Sequence, residues 1–156
     1  MDLYRLVYCS NYALKSSGAA LADDLKRILG SAILHNQADE ISGGLVFSCN
    51  HFVQVLEGAQ APVESTFGRI MLDPSHTRVV QIEAKPIVER MFGAWSMGYA
   101  GNAALFATLG KSLTAEGAID PARIDVANLV ASVHHLMQTE MHMASTPSSA
   151  APQPAA

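Results

Sequence analysis

Residues 41–57 read ISGGLVFSCNHFVQVLE. The apolar runs 41–49 and 52–57 are short, rich in β-branched and aromatic residues, and separated by Asn50 and His51, which predicts an antiparallel hairpin with a tight turn. Working outward, Leu3 to Ser10 alternates, with Tyr4, Leu6 and Tyr8 on one side and Leu3, Arg5, Val7 and Cys9 on the other, as a strand requires. Leu21, Leu25, Ile28, Leu29 and Ala32 then recur at helical spacing, with Asp23 and Asp24 expected near the positive end of the helix dipole and the helix ending near Asn36. Beyond the hairpin, Pro62 suits a first helical turn, Val63, Phe67, Ile70 and Met71 form a second stripe, and Asp73-Pro74 stops it. Residues 77–88 alternate around Val80, Ile82 and Ala84 as a fourth strand, and residues 94–99 offer Trp95, Met97 and Tyr99 on one face of a fifth. The order β-α-β-β-α-β-β is that of a ferredoxin-like α+β fold, an antiparallel sheet with both helices on one face and the other face bare.

The chain has 156 residues, one domain's worth, and only 15% of them are charged. Alanine fills much of the difference, so the 49% hydrophobic content overstates the apolar area. Residues 91–110, MFGAWSMGYAGNAALFATLG, carry no charge and approach the length of a membrane span, but four glycines with Ser96, Asn102 and Thr108 interrupt any apolar helix surface. The start, MDLYRLVYCS, has neither the basic beginning nor the apolar stretch of a signal peptide, so a cytoplasmic location is expected, with no membrane partner. Cys9 and Cys49 form no ligand-spaced set and are expected to be unpaired and buried. A net charge of −4, with basic residues scattered, gives no stripe for a phosphate backbone and argues against direct nucleic-acid binding.

A helical extension, residues 101–143, is expected to cover the bare sheet face or pack on a second subunit as a homo-oligomer. It comprises a short apolar helix over 102–109 and a longer one opened by Asp120-Pro121, with Val126, Leu129, Val130, Val133 and Met137 as its stripe. Residues 144–156, ASTPSSAAPQPAA, read as a disordered tail.

Nucleotide-loop, nucleophile-elbow, zinc-protease and EF-hand motifs are all missing. His134, His135 and His142 read as solvated surface residues rather than metal ligands, so no metal site is expected. More informative are polar residues that periodicity places on apolar faces: Asn36 between Leu25 and Leu29 on the first helix, Gln54 between Phe52 and Leu56, and Tyr8 beside Leu6. Each also has a plain structural use, as a helix cap, a core amide and a core phenol, and Arg69 with Asp73 one turn on reads as a surface ion pair. Together they suggest a polar, aromatic-rimmed slot between two helices over a sheet, suited to a planar heteroaromatic ligand.

Taken in order, LYRLVYCS at Leu3, His35-Asn36, SGGLVFS at Ser42, FVQVLEG at Phe52, FGRIMLDPSH at Phe67 and FGAWSM at Phe92 resemble a BLUF domain, a family of blue-light sensors that use flavin. The resemblance covers residues 1–100. It implies a ferredoxin-like sheet with the isoalloxazine ring between the helices, Tyr8 as electron and proton donor to the excited flavin, and Gln54 as the amide bridging the tyrosine and the flavin. Asn36 and His35 are implied at the ring, with Ser31 as a further contact, and Arg69, Asp73 and His76 at the ribityl and phosphate end. Trp95 and Met97 match the strand implied in output. Rearrangement of the Gln54 hydrogen bonds is the implied signal, with no substrate turned over and the message passed to a partner protein or through the extension. Two departures stand out: many relatives carry a basic side chain where this chain has Ser75, leaving FAD, FMN or riboflavin as the cofactor, and a small polar residue where it has Ala32. The competing readings are a light-independent ferredoxin-like interaction module and a small acyl-phosphate phosphatase on the same fold. The latter lacks an arginine-bearing loop after the first strand.

Overall fold

The computed structural model describes residues 2–14, 16–101 and 120–141. Five strands, β1 (Leu3–Tyr12), β2 (Ser42–Ser48), β3 (His51–Ala59), β4 (His76–Ile87) and β5 (Gly98–Ala100), form one sheet in the order β4-β1-β3-β2-β5. Pairing is antiparallel among the first four strands, and β5 adds to β2 in parallel. Helices α1 (Gly18–Ala38) and α2 (Gln60–Leu72) connect the strands as the ferredoxin-like order demands. The short apolar helix expected over 102–109 and the tail 144–156 lie outside the described residues.

The hairpin turn falls one residue earlier than expected. Cys49 and Asn50 both have positive φ, 53° and 63°, the two-residue geometry whose twist matches that of paired strands, and His51 is the first residue of β3. Cys49 is therefore exposed rather than buried, whereas Cys9 is buried within β1. Burial pushes the Cys9 thiol up to about 12. A disulfide-exchange reagent at pH 8 is expected to titrate one thiol rapidly in the native protein and both after denaturation; two fast native thiols would mean that β1 is not protected.

Alternation sorts the side chains onto two cores. Leu6, Tyr8, Leu45, Phe52 and Leu56 face α1 and α2 together with Val63 and Phe67. Val7, Cys9, Val46, Val53 and Val55 face the other way. There they meet Leu129, Val130 and Val133 of α3 (Val126–Leu136) and Met137 of the π turn that follows it (Met137–Met141). Asp120-Pro121 opens only a short 3₁₀ turn, Pro121–Arg123; α3 has its own cap, the Asp125 carboxylate accepting from the Asn128 amide at 3.1 Å. His134 is no solvated surface residue. It packs edge-on to Phe92 and Trp95, at ring-centroid distances of 5.5 and 5.8 Å.

Other expectations change with packing. Asp23 and Asp24 fall beyond the first turn of α1, which begins at Gly18, and the Asp24 carboxylate instead accepts the Tyr12 hydroxyl. On α2, Met71 is 52% exposed while Thr66 is buried, because the buried face follows Val63, Thr66 and Phe67. No helix among the described residues is long and apolar enough to cross a membrane.

Candidate functional site

Strand register assembles the floor of the site. Tyr8 on β1 is opposite Gln54 on β3, which is opposite Leu45 on β2, so the three side chains form one row beneath the helices. The Tyr8 hydroxyl donates to Gln54 Oε1, and Gln54 Nε2 donates to Met97 Sδ at 3.3 Å. Tyr8 is fully buried with Phe67 against its ring at 5.4 Å, and burial, with Cys9 and Asp73 adding to it, drives the phenol's pKa well above 10.0. It is a neutral donor at any ordinary pH.

The walls come from the helices. Asn36 lies in the last turns of α1, 1% exposed, and is not a cap: its Nδ2 donates to the Ser96 carbonyl at 2.8 Å, while its backbone carbonyl accepts from the Ile41 amide at 2.8 Å. Its side-chain oxygen is left for the cavity. Ser31 and His35 sit on the exposed edge of the same helix, the Ser31 carbonyl accepting from His35 Nδ1 at 2.8 Å. Arg69 does not pair with Asp73. It reaches across to Asp39 beyond α1, at 3.7 Å, and donates to Thr66 Oγ1 at 3.1 Å. Asp73 Oδ1 accepts the Ser75 amide at 2.7 Å, which folds the chain back into β4. His76, the first residue of β4, lies against Phe52 at 4.6 Å with Nδ1 2.8 Å from Ser10 Oγ; burial lowers its pKa below 6.5 against the opposing pull of Asp73. The ring is therefore neutral at neutral pH.

Of the residues expected at the site, Tyr8, Ser31, His35, Asn36, Gln54, Arg69, Asp73 and His76 line one cavity of about 210 Å³ between α1, α2 and the sheet, and Trp95 and Met97 do not. It is smaller than the ~300 Å³ at the low end of small-molecule sites. However, the Arg27 and Arg69 side chains that line it are half-exposed, so the cavity opens to solvent and a longer ligand can extend beyond it. The α1 stripe of Leu21, Leu25, Ile28 and Leu29 is only partly buried against the core beneath the helices. Arg27, Ile28, Leu45, Thr66 and Ile70 also line the cavity. Ile28 and Ile70 carry a signal in the helical stripes, but nothing in the sequence separates Arg27 from an ordinary surface cation.

Trp95 and Met97 do not share the face of a strand. Residues 92–97 form a turn, closed by the Trp95 amide donating to the Phe92 carbonyl at 3.1 Å, and β5 begins only at Gly98. Met97 is buried in the core beneath the helices beside Gln54, whereas Trp95 packs on the opposite side of the sheet with Phe92 and His134. The Trp95 carbonyl accepts from the Gly43 amide and the Ser96 carbonyl from Asn36, so the turn is tied to both β2 and α1.

A buried phenol hydrogen-bonded to a buried amide, with an asparagine and charged residues around a slot between two helices, defines a binding protein for a planar, polar heteroaromatic group. Among the residues of that slot, Gln54 has two N–H donors, one of them directed at the weak acceptor Met97 Sδ, and Asn36 has a free acceptor, which fits the alternating donors and acceptors of a flavin's edge. The chain belongs to the BLUF family: residues 3–98 match the family of sensors of blue-light using FAD. A structure of BlsA in its photo-activated state superposes with a TM-score of 0.70 at 30% identity, covering 86% of this chain and 94% of that one. BlrB, a BLUF protein in its dark state, gives 0.67 at 25% identity, covering 87% and 95%. The photoactivated adenylate cyclase subunit alpha of Euglena gracilis is 34% identical over 96 residues, 62% of this chain but only 9% of that protein's length. Blue-light sensing with flavin is thus the function that family membership indicates.

Proposed function

We propose that the chain is a blue-light sensor switched by the Tyr8–Gln54 pair, with FAD in the cavity and no substrate turned over. The observation that carries this reading is the Gln54 amide, which accepts from Tyr8 at one end and donates to Met97 at the other, on the floor of the cavity. Asn36, Gln54, His35 and Ser31, which line the cavity, would hold the ring, and Arg69, Asp73 and His76 would hold the chain that leaves it. A bound flavin supplies a strong one-electron acceptor when it absorbs blue light. Tyr8 would supply an electron and its hydroxyl proton, the proton leaving along the bond to Gln54, and would regain both when the charge recombines.

What remains altered is the Gln54 amide, rotated or tautomerised. Rotation exchanges Oε1 and Nε2, so an oxygen faces Met97 Sδ, which has no proton to donate, and the contact is lost. That is the differential interaction a two-state switch needs. Met97 is continuous with Gly98 in β5, where an added Cβ would lie 2.4 Å from Met137 Sδ on the far face of the sheet. A movement at Met97 thus reaches the end of α3, and from there a partner protein.

The purified chain is expected to be yellow and to show a small, reversible red shift of its flavin absorption under blue light. A colourless protein that takes up no flavin on refolding removes this reading. Met97→Leu keeps the volume but removes the sulfur acceptor; it is expected to retain flavin and the red shift while changing the rate at which the shift decays. A decay rate identical to the parent's would detach Met97 from the switch.

A further inference from the structure

The cavity has a polarity along α1. Asn36 at its inner end is 1% exposed, and Arg27, about 14 Å away at ~1.5 Å of rise per residue, has a side chain 56% exposed at the mouth. Two arginines line the cavity and they differ in how they are engaged. Arg69 is directed toward the carboxyl end of α1, paired with Asp39 and bonded to Thr66. Arg27 stands at the other end, over the junction of α2 and β4, where Nη2 donates to Ser75 Oγ at 3.3 Å and lies 3.9 Å from Asp24 Oδ1. Both contacts are at the long limit for their kind.

Ser75 is itself fixed: it is fully buried, its amide donates to Asp73, and its carbonyl accepts from the Ala13 amide at 2.9 Å. It places the guanidinium over the opening while leaving most of its five N–H donors free. A planar fork of donors held at the solvent end of a slot suits a phosphate monoester or diester.

We propose that Arg27 is the phosphate-binding residue of this cavity, so that the chain selects a phosphorylated flavin over riboflavin. The proposal rests on the flavin reading above and adds to it the residue that would hold the ligand's phosphate. The position after α2 offers no cation of its own, because Ser75 stands there; the charge is supplied instead from α1, 48 residues earlier in the chain.

FMN and riboflavin differ only in the phosphate, so their dissociation constants from the full chain stripped of flavin isolate it. The parent is expected to bind FMN at least tenfold more tightly than riboflavin. Arg27→Ala is expected to weaken FMN by roughly tenfold, the order of one charge-assisted hydrogen bond, and to leave riboflavin within about twofold. Arg27→Lys should recover part of the preference, as it keeps the charge without the fork. Equal losses for both flavins, or an FMN affinity untouched by Arg27→Ala, would overturn the assignment while leaving the flavin site standing. Failure of the parent to bind either flavin would overturn both.

Discussion

Tyr8→Phe is expected to bind flavin, fold normally and show no light-induced red shift. The substitution removes one oxygen from a fully buried side chain and keeps the ring that packs on Phe67. Its structural cost is the Gln54 carbonyl left without a donor, about 1–3 kcal/mol. Its functional cost under the proposed mechanism is total, because a phenyl ring has no hydroxyl proton to give and is a far poorer electron donor. Gln54→Leu should be equally silent for the complementary reason: Tyr8 remains, but no amide is left to rearrange. Difference spectra of both variants with flavin bound make the measurement, and a shift that persists in Tyr8→Phe would mean that another residue donates.

Tyr8 also couples stability to pH. Because folding raises its pKa above 10.0, the folded chain retains a proton there that the unfolded chain loses. That stabilisation is complete below pH 10 and declines as pH rises above it. The parent should therefore lose more stability than Tyr8→Phe in alkaline solution.

Glu57→Ala is expected to give the largest loss of stability, about 3–5 kcal/mol. Glu57 is fully buried on the α3 side of the sheet, opposite Arg5 in the β1–β3 register. Its Oε2 accepts from Arg5 Nε at 2.9 Å and lies 2.8 Å from Nη2, while Oε1 accepts the amides of Met91 and Phe92 at 2.9 and 2.7 Å. Nearby, Arg90 donates to the Glu57 and Glu40 carbonyls and to Ser42 Oγ. Removing the carboxylate strands a largely buried guanidinium and two backbone donors, one of them on the buried Phe92. Glu57→Gln keeps an acceptor for the amides and should cost less. Thermal unfolding should place Glu57→Ala about 10–20 °C below the parent; a loss under about 1 kcal/mol would show that this network does not hold the turn leading to Met97.

Much of this architecture is written in local periodicity. The alternation at Leu3 to Ser10 and in FVQVLE puts Tyr8 and Gln54 on the helix-facing side, and both are there, directly opposite one another. Asn36 is legible as an inward-facing polar residue because a polar side chain in register with an apolar helical stripe stands out. Trp95 and Met97 were misplaced onto one strand face for an equally local reason: two-residue spacing imitates a strand, but the turn from Phe92 to Met97 takes its shape from bonds to Gly43 and Asn36, more than fifty residues distant.

What separates the two classes is the range of the interaction. Strand and helix periodicity follows from which side of a single segment is withdrawn from water, and that can be read from the segment alone. Polar partnerships such as Arg27 with Ser75, Arg69 with Asp39, Glu57 with Arg5 and the 91–92 amides, and Gln54 with Met97 join residues that are far apart in the chain or have several equally plausible partners. A charged or amide side chain bears no mark of which distant group will satisfy it; only the closing of the sheet and its helices, which removes the alternatives along with the water, makes that choice.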